Sequence, residues 1–182
     1  MNTLRTVLLL LLATAGGAAS AQDGPVTAGP AANSLFLSAL ALRHGFDPER
    51  GLAGDVHGAF GMGFRFNERI SAELTGGRTP TRTGLVEADV DTLRLDALWH
   101  FDSSAGWQPW VSGGFADQET KAGGAKQREG MVVAGIGLFR RLGGPFLLRA
   151  EWRLGYSLDE EAWDHMAGIG LTAAFGGSLP PR

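Results

Sequence analysis

Six charged residues, three acidic and three basic, give this 182-residue sequence its clearest capacity for ionic chemistry. Arg149, Glu151 and Arg153 alternate along one stretch, so an extended backbone places them on one face, about 7 Å from one to the next. The same stretch, PFLLRAEWRLGYSL, places apolar residues that include Trp152 and Tyr156 on the opposite face. The complementary charges, on two neighbouring strand-like segments, are Glu73, Arg94 and Asp96.

A network of these six charges has two interpretations. It could act as a gate, in which salt bridges rearrange to let small solutes pass. It could also be a static plug that only holds the structure together, and buried ion pairs more often prove structural than switching. Unpaired charges in a narrow interior are costly, so in both cases we expect the six residues to pair with one another.

Other kinds of chemistry find little support in the sequence. The four histidines, His44, His57, His100 and His165, lie on different segments and none has the spacing of metal ligands. The chain contains no cysteine, which excludes disulfides and thiolate sites. There is no Gly-x-Ser-x-Gly elbow and no Walker-type phosphate loop. We therefore expect no catalytic, cofactor-binding or metal-binding residues and no enzymatic activity, and the net charge of −3 argues against binding to nucleic acid.

Eight strand-like segments must position the six charges. They are separated by turn-rich stretches and cover residues 34–44, 55–66, 69–77, 88–101, 107–118, 129–142, 145–158 and 164–175. Short connections alternate with longer, more polar loops, which are predicted at 45–54, 78–87, 120–128 and 159–163. An even number of strands with short turns at one end and long loops at the other is typical of an outer-membrane β-barrel. The first, sixth and eighth segments are too uniformly small or apolar for their register to be predicted.

The faces of these segments predict an apolar exterior and a charged interior. Gly61, Gly63 and Gly155 are expected to make room for the charges in a narrow lumen. The predicted fold is an all-β, eight-stranded antiparallel up-and-down transmembrane β-barrel. Aromatic residues gather near the short turns, as in the girdle at a membrane interface; the predicted aromatic girdle is Phe64, Phe66, Trp99, Phe101, Trp107, Phe139, Phe146 and Phe175.

The N-terminus indicates export. A basic start with Arg5 precedes a short apolar run and the small residues Ala19-Ser20-Ala21, a pattern typical of a secretory signal peptide cleaved after Ala21. The expected organisation is a signal peptide at 1–21, a flexible lead-in at 22–33, the barrel at 34–177 and a short tail at 178–182. The expected location is the outer membrane of a Gram-negative cell, with both termini in the periplasm.

Three motifs resemble the membrane domain of the OmpA/porin F family: LRLDALWHF, WQPWVSGGFADQ and HMAGIGLTAAFGG. The similarity covers roughly 34–177 and is strongest in the second half. It implies a barrel with an internal charge network, in contact with outer-membrane lipid and lipopolysaccharide, whose last strand carries Gly170 and Phe175 for the barrel-assembly machinery. Family members of the OmpA type usually continue into a peptidoglycan-binding domain. Because the sequence stops about where the connecting segment would begin, we do not expect a role in anchoring the cell wall.

These observations favour a structural or porin-like outer-membrane protein, a monomer whose lumen is plugged by charges. Two alternatives stay open. One is a lipid A-modifying barrel enzyme, although the His-x-Ser pair of the deacylases is missing. The other is a soluble, lipocalin-like periplasmic carrier, in which the faces would be reversed. The charged residues of strands four and seven would then face water, while Phe60 and Trp152 lined an apolar pocket.

Overall fold

Eight antiparallel strands follow one another around a closed barrel in a computed structural model of this chain, which describes residues 28–103 and 105–177. Each strand pairs with the next, and the first pairs with the last to close the ring, with Ser34 opposite Gly176. The fold class predicted from the sequence is confirmed. The strands are β1 (Ser34–Gly45), β2 (Asp55–Arg65), β3 (Ile70–Thr83), β4 (Val86–His100), β5 (Trp107–Ala122), β6 (Ala125–Gly143), β7 (Phe146–Ser157) and β8 (Trp163–Gly176).

Alternation along the strands separates a charged interior from an apolar exterior. In β7, Arg149, Glu151 and Arg153 are buried, whereas Trp152 between them is 44% exposed. Apolar side chains also point outward on the other strands, among them Phe60, Met62, Leu74, Leu93, Leu95, Phe115, Ile136 and Ile169. These are the faces of a transmembrane barrel and the reverse of those that a lipocalin-like carrier needs. Within the described residues, no helix is long and apolar enough to cross a membrane.

The two ends of the barrel differ in their connections. At one, which we call the turn end, the strands are joined through residues 66–69, 101–106 and 144–145. At the other, the hairpin end, the connections are 46–54, 84–85, 123–124 and 158–162. The connection at 46–54 contains a short 3₁₀ helix, Pro48–Arg50. Both β1 and β8 have their outer termini at the turn end, where Ser34 and Gly176 are paired.

Two connections that were predicted as long loops are tight turns. β3 continues to Thr83 and β4 begins at Val86, so that only two residues join them, and Gly84 among them has a φ of +62°. Likewise, only residues 123–124 separate β5 from β6. The predicted loops at 78–87 and 120–128 are therefore mostly strand. They lack an apolar face because the extended hairpins carry polar residues on both sides, as at Arg78 and Thr79.

Seven of the eight residues predicted for the aromatic girdle point outward or lie in the connections of the turn end, but Phe139 does not. Phe139 is completely buried inside the barrel. It shares the inward face of β6 with Gly135 and Gly137, and the small or apolar residues of this strand conceal the alternation in the sequence. The prediction for Phe139 was therefore wrong. Its ring lies beside Trp110, with the centroids 6.0 Å apart.

Residues 28–33, the last part of the predicted flexible lead-in, are packed against the turn end. Ala28 and Pro30 are buried, and the Ala28 N–H donates to Ser103 Oγ at 3.2 Å. The carbonyl of Gly29 accepts a hydrogen bond from Arg141 Nη2 at 3.2 Å. These residues have small side chains that fit into the turn end of the barrel, so this part of the predicted lead-in contacts the strands. The predicted signal peptide at 1–21, residues 22–27 and the tail at 178–182 lie outside the described residues.

Candidate functional site

Arg149 connects three strands across the lumen. Its guanidinium makes two parallel hydrogen bonds to Glu73 on β3, from Nη1 to Oε1 at 2.6 Å and from Nη2 to Oε2 at 2.7 Å. Its Nε donates to Glu151 Oε2 at 2.7 Å, and Nη1 also donates to Ser38 Oγ on β1 at 3.1 Å. Parallel bonds between a guanidinium and a carboxylate are among the stronger hydrogen bonds in proteins. The interior of the barrel is therefore cross-linked from β7 to β3 and β1.

The other two arginines extend this arrangement to β4. Arg153 Nε donates to Glu151 Oε1 at 3.0 Å, and its Nη1 lies 2.9 Å from Asp96 Oδ2. Arg94 Nε donates to the same oxygen of Asp96 at 2.7 Å. The structure thus brings all six predicted charges together, each at most 6% exposed. We call this set the lumen network: Glu73, Arg94, Asp96, Arg149, Glu151 and Arg153.

Two aromatic rings pack against the arginines of the lumen network. The guanidinium carbon of Arg149 lies 5.2 Å from the ring centroid of Trp110 and 5.5 Å from that of Phe139. Arg153 also lies over Trp110, at 5.3 Å. Both contacts are within the range of attraction between a cation and the face of an aromatic ring. Trp110 fits because the facing residue is Gly137, where a Cβ would come within 2.2 Å of the ring.

Sequence reasoning did not place either ring in the lumen: Phe139 was assigned to the aromatic girdle and Trp110 was not singled out, although Trp110 carried a usable signal. Trp110 lies on the same face of β5 as Gln108 and Ser112, and these two polar residues could have identified that face as the inward one. Of the glycines expected to make room for charges, only Gly61 does so, since a Cβ there would lie 2.6 Å from Glu73 Oε1. Gly63 and Gly155 instead make room for apolar side chains, Phe36 and Met131.

A second buried charge cluster lies at the hairpin end and was not predicted. Arg50 comes from the connection at 46–54, and its side chain is only 4% exposed. Its three nitrogens face three different carboxylates: Nη1 lies 2.9 Å from Asp164 Oδ2, Nε lies 3.2 Å from Glu160 Oε2, and Nη2 donates to Glu129 Oε1. We call this set the mouth cluster: Arg50, Glu129, Glu160 and Asp164. Because Arg50 lies in a connection, no strand alternation could have identified it.

The connection that carries Arg50 is held in place by Asp47. Asp47 Oδ1 accepts from the N–H of Glu49 at 3.0 Å, and Oδ2 accepts from the N–H of Trp163 at 3.2 Å. These two backbone bonds lower the pKa of Asp47 below its ordinary value of 3.8. The N–H of Asp47 also donates to Asp164 Oδ1 at 3.0 Å. Asp47 therefore joins the connection at 46–54 to β8.

The four histidines do not form a metal site. His44, His57 and His100 are buried in the lumen, whereas His165 is exposed on the outside of β8. His57 and His100 each share a hydrogen bond with a hydroxyl group of β3, at 3.0 Å and 2.7 Å. In the described part of the chain, no group of three or more His, Cys, Asp or Glu residues could hold a metal ion. A small cavity beside His57 and Arg94 has room for about one water molecule.

The turn end is occupied by a third buried arginine site. Arg65 Nη1 donates to Gln108 Oε1 at 2.8 Å, and its Nε donates to the carbonyl of Asn67 at 3.0 Å. Gln108 also lies against Gly29 of the N-terminal segment. The barrel is thus filled by side chains at both ends and along its lumen.

Comparison with known proteins identifies a family model that spans most of the barrel and curated relatives that match parts of the chain. A family model described as the OprF membrane domain matches residues 38–179. Outer membrane porin F of Pseudomonas fluorescens is 31% identical over 129 residues, which are 64% of this chain and 40% of that protein. Outer membrane protein Omp38 of Acinetobacter baumannii is 46% identical over 48 residues, 26% of this chain and 14% of that protein. The chain thus spans at most 40% of the length of these curated relatives.

Solved structures share the fold. The N-terminal β-barrel domain of OprF from Pseudomonas aeruginosa superimposes with a TM-score of 0.56 at 24% identity, over 79% of this chain and 98% of that one. Neisserial surface protein A gives a TM-score of 0.65 at 13% identity, over 81% of this chain and 99% of that one.

Proposed function

The chain belongs to the OprF membrane domain family, and on this premise we propose that it is a structural outer-membrane barrel with a closed lumen. Its curated relatives are an outer membrane porin and an outer membrane protein. What the lumen does depends on the residues of this chain, and the lumen network supports a lumen that is closed to solutes. Its three positive and three negative side chains are almost fully buried and fill the interior of an eight-stranded barrel.

A static plug is better supported than a gate. All six members of the lumen network lie on strands, whose backbones are fixed by hydrogen bonds on both sides. Opening the lumen would require parting Arg149 from both Glu73 and Glu151 and leaving buried charges without partners, which is costly. Interior charges of opposite sign therefore hold β3, β4 and β7 at fixed distances.

We further propose the placement of the barrel in its membrane. The turn end, where the outer termini of β1 and β8 lie, faces the periplasm. The hairpin end faces outward, because its extended polar hairpins and the connection at 46–54 correspond to the longer extracellular part of such barrels. The exposed apolar side chains contact outer-membrane lipid and lipopolysaccharide, and insertion uses the barrel-assembly machinery. The protein acts as a monomer, is exported by its signal peptide and has no catalytic role.

Conductance in planar lipid bilayers tests the closed lumen. The purified full-length protein should give small and infrequent current steps or none, because the lumen network leaves no continuous aqueous path. Glu73→Gln, which weakens the pairing with Arg149, should raise the frequency of current steps. Glu87→Gln, at an exposed position of β4 near the hairpin end, should not. Large, steady currents from the unchanged protein would overturn the proposal.

Electrophoresis of boiled and unboiled extracts tests residence in the membrane. A closed barrel satisfies its backbone hydrogen bonds internally and resists detergent until it is heated. The unboiled protein should therefore migrate differently from the boiled protein. In cell fractionation, the protein should be recovered with the outer membrane. Identical migration and recovery in the soluble periplasm would contradict the assignment.

A further inference from the structure

We propose that the mouth cluster is a binding site for a guanidinium group, which the chain's own Arg50 occupies and which an external guanidinium-bearing ligand can enter by displacing that side chain. The proposal does not depend on whether the lumen is closed. Its basis is the arrangement of acceptors around one planar cation, with each of the three nitrogens of Arg50 facing a carboxylate of a different residue.

Two of the three carboxylates, those of Glu129 and Asp164, are positioned by groups other than Arg50. Glu129 Oε1 accepts from Gln118 Nε2 at 3.0 Å, and Glu129 Oε2 accepts from Ser157 Oγ at 2.5 Å. Asp164 Oδ1 accepts from the N–H of Asp47 at 3.0 Å. Because these bonds come from β5, β7 and the backbone, Glu129 and Asp164 retain hydrogen-bond partners when Arg50 leaves. The space that remains held a guanidinium group among three carboxylates, and a planar fork of donors matches such a set better than a compact ammonium does.

The charges of the mouth cluster are unbalanced, in contrast to those of the lumen network. One cation faces three carboxylates, of which Glu129 and Asp164 are buried. His44 adds an independent observation. It is 1% exposed, its Nε2 lies 3.5 Å from Asp164 Oδ2, and neither ring nitrogen has a hydrogen-bond partner among the described residues. The site therefore keeps polar capacity beyond what the chain itself uses, as expected where a ligand completes it.

The position of Arg50 makes exchange feasible. It is the last residue of the 3₁₀ helix and precedes Gly51, which has a φ of +63° and no atom within 4 Å of a Cβ built there. The flanking residues are anchored separately, Asp47 to β8 and Ala53 to the carbonyl of Arg82 on β3. The Arg50 side chain can thus swing outward while the connection stays across the mouth.

Chemical rescue of Arg50→Ala tests the site. The variant is reconstituted in lipid vesicles, and its thermal unfolding is followed with millimolar guanidinium chloride, urea or sodium chloride. Urea has the shape of guanidinium without its charge, and sodium chloride matches the ionic strength. We expect guanidinium alone to restore the lost thermal stability, and isothermal titration to show at least about tenfold tighter guanidinium binding by the variant than by the unchanged protein.

Two further variants complete the experiment. Arg82→Ala, which removes an exposed arginine of β3, should show no rescue. Adding Glu129→Gln to Arg50→Ala should abolish the tighter binding. If Arg50→Ala does not fold alone, folding that guanidinium restores and urea or salt does not supports the site, and Arg50→Gln provides the binding measurement. Equal effects of guanidinium and sodium chloride, or no guanidinium binding by either Arg50 variant, would overturn the proposal.

Discussion

The lumen network and the mouth cluster are both buried sets of charges, but they are built on different parts of the barrel. In the lumen network every charged side chain lies on a strand, and the three cations equal the three anions in number. In the mouth cluster the only cation, Arg50, lies in a connection and faces three carboxylates. The difference separates two uses of a buried ion pair, because a charge fixed on a strand cannot leave its partner, whereas a charge on a connection can.

The largest effect is expected from Arg149→Met. The substitution leaves Glu73 and Glu151 buried without their main partner, and breaking a buried pair in this way costs about 3–5 kcal/mol. Urea unfolding in lipid vesicles, followed by tryptophan fluorescence, measures the loss. Arg43→Met, on the exposed face of β1, is the matched control and should leave the free energy of unfolding almost unchanged. If the two variants were equally stable, the lumen network would not hold the barrel together.

Arg50→Gln should cost less than Arg149→Met, although Arg50 faces more carboxylates. The mouth cluster lies at an end of the barrel, where water can reach Glu129 and Asp164 once the cation has gone. The lost hydrogen bonds to charged groups are worth about 1.5–3 kcal/mol. The same urea titration measures the difference, with Arg82→Gln as the control. A loss equal to that of Arg149→Met would remove the distinction between the two clusters.

The balance of charge in the lumen network can be tested by a double-mutant cycle on Arg94 and Asp96. Each single change to leucine removes one partner of a buried pair and unbalances the charges of the lumen network, whereas the double change removes a matched pair. The double variant should therefore be more stable than the sum of the single losses implies, by about 0.5–3 kcal/mol. Unfolding free energies of the four proteins provide the test, and strictly additive losses would contradict a paired network.

The smallest effect concerns pH at the mouth. Because the N–H groups of Glu49 and Trp163 lower the pKa of Asp47 below 3.8, the ionised form stabilises the folded state. That contribution is fully present above pH 3.8 and disappears as the pH falls through the lower, folded pKa. The difference in melting temperature between the unchanged protein and Asp47→Asn should therefore shrink on acidification. A difference that grew below pH 3.8 would reverse the sign of this assignment.

Strand alternation explains which parts of the site could be predicted. Arg149, Glu151 and Arg153 alternate with apolar residues that face lipid, and this contrast identifies the interior of β7. On β6 the contrast fails, because the inward residues Gly135 and Gly137 carry no polar side chain. Phe139 was therefore placed on the wrong face. In the extended hairpins both faces are polar, so strand was interpreted as loop.

The mouth cluster could not be predicted for a different reason. Arg50 is brought to Glu129 and Asp164 by the path of an irregular connection, which has no periodicity to interpret. The two acids lie on β6 and β8, which both pair with β7, whereas Arg50 follows β1, and only the pairing of β1 with β8 brings it near them. Residues of this kind are found by following contacts across the structure.

The pairing of β1 with β8 has a consequence for how the barrel folds. Each of the other seven strand pairs is a hairpin of neighbours, but this one joins Ser38 to Thr172, which are 134 residues apart and share a hydrogen bond of 2.9 Å inside the barrel. Loop-closure entropy makes so distant a contact a late one. Until it forms, the charges of the lumen network remain hydrated. The pairing of β1 with β8 and the removal of water from the lumen network then become a single step. Folding should therefore be cooperative, without a stable half-closed intermediate.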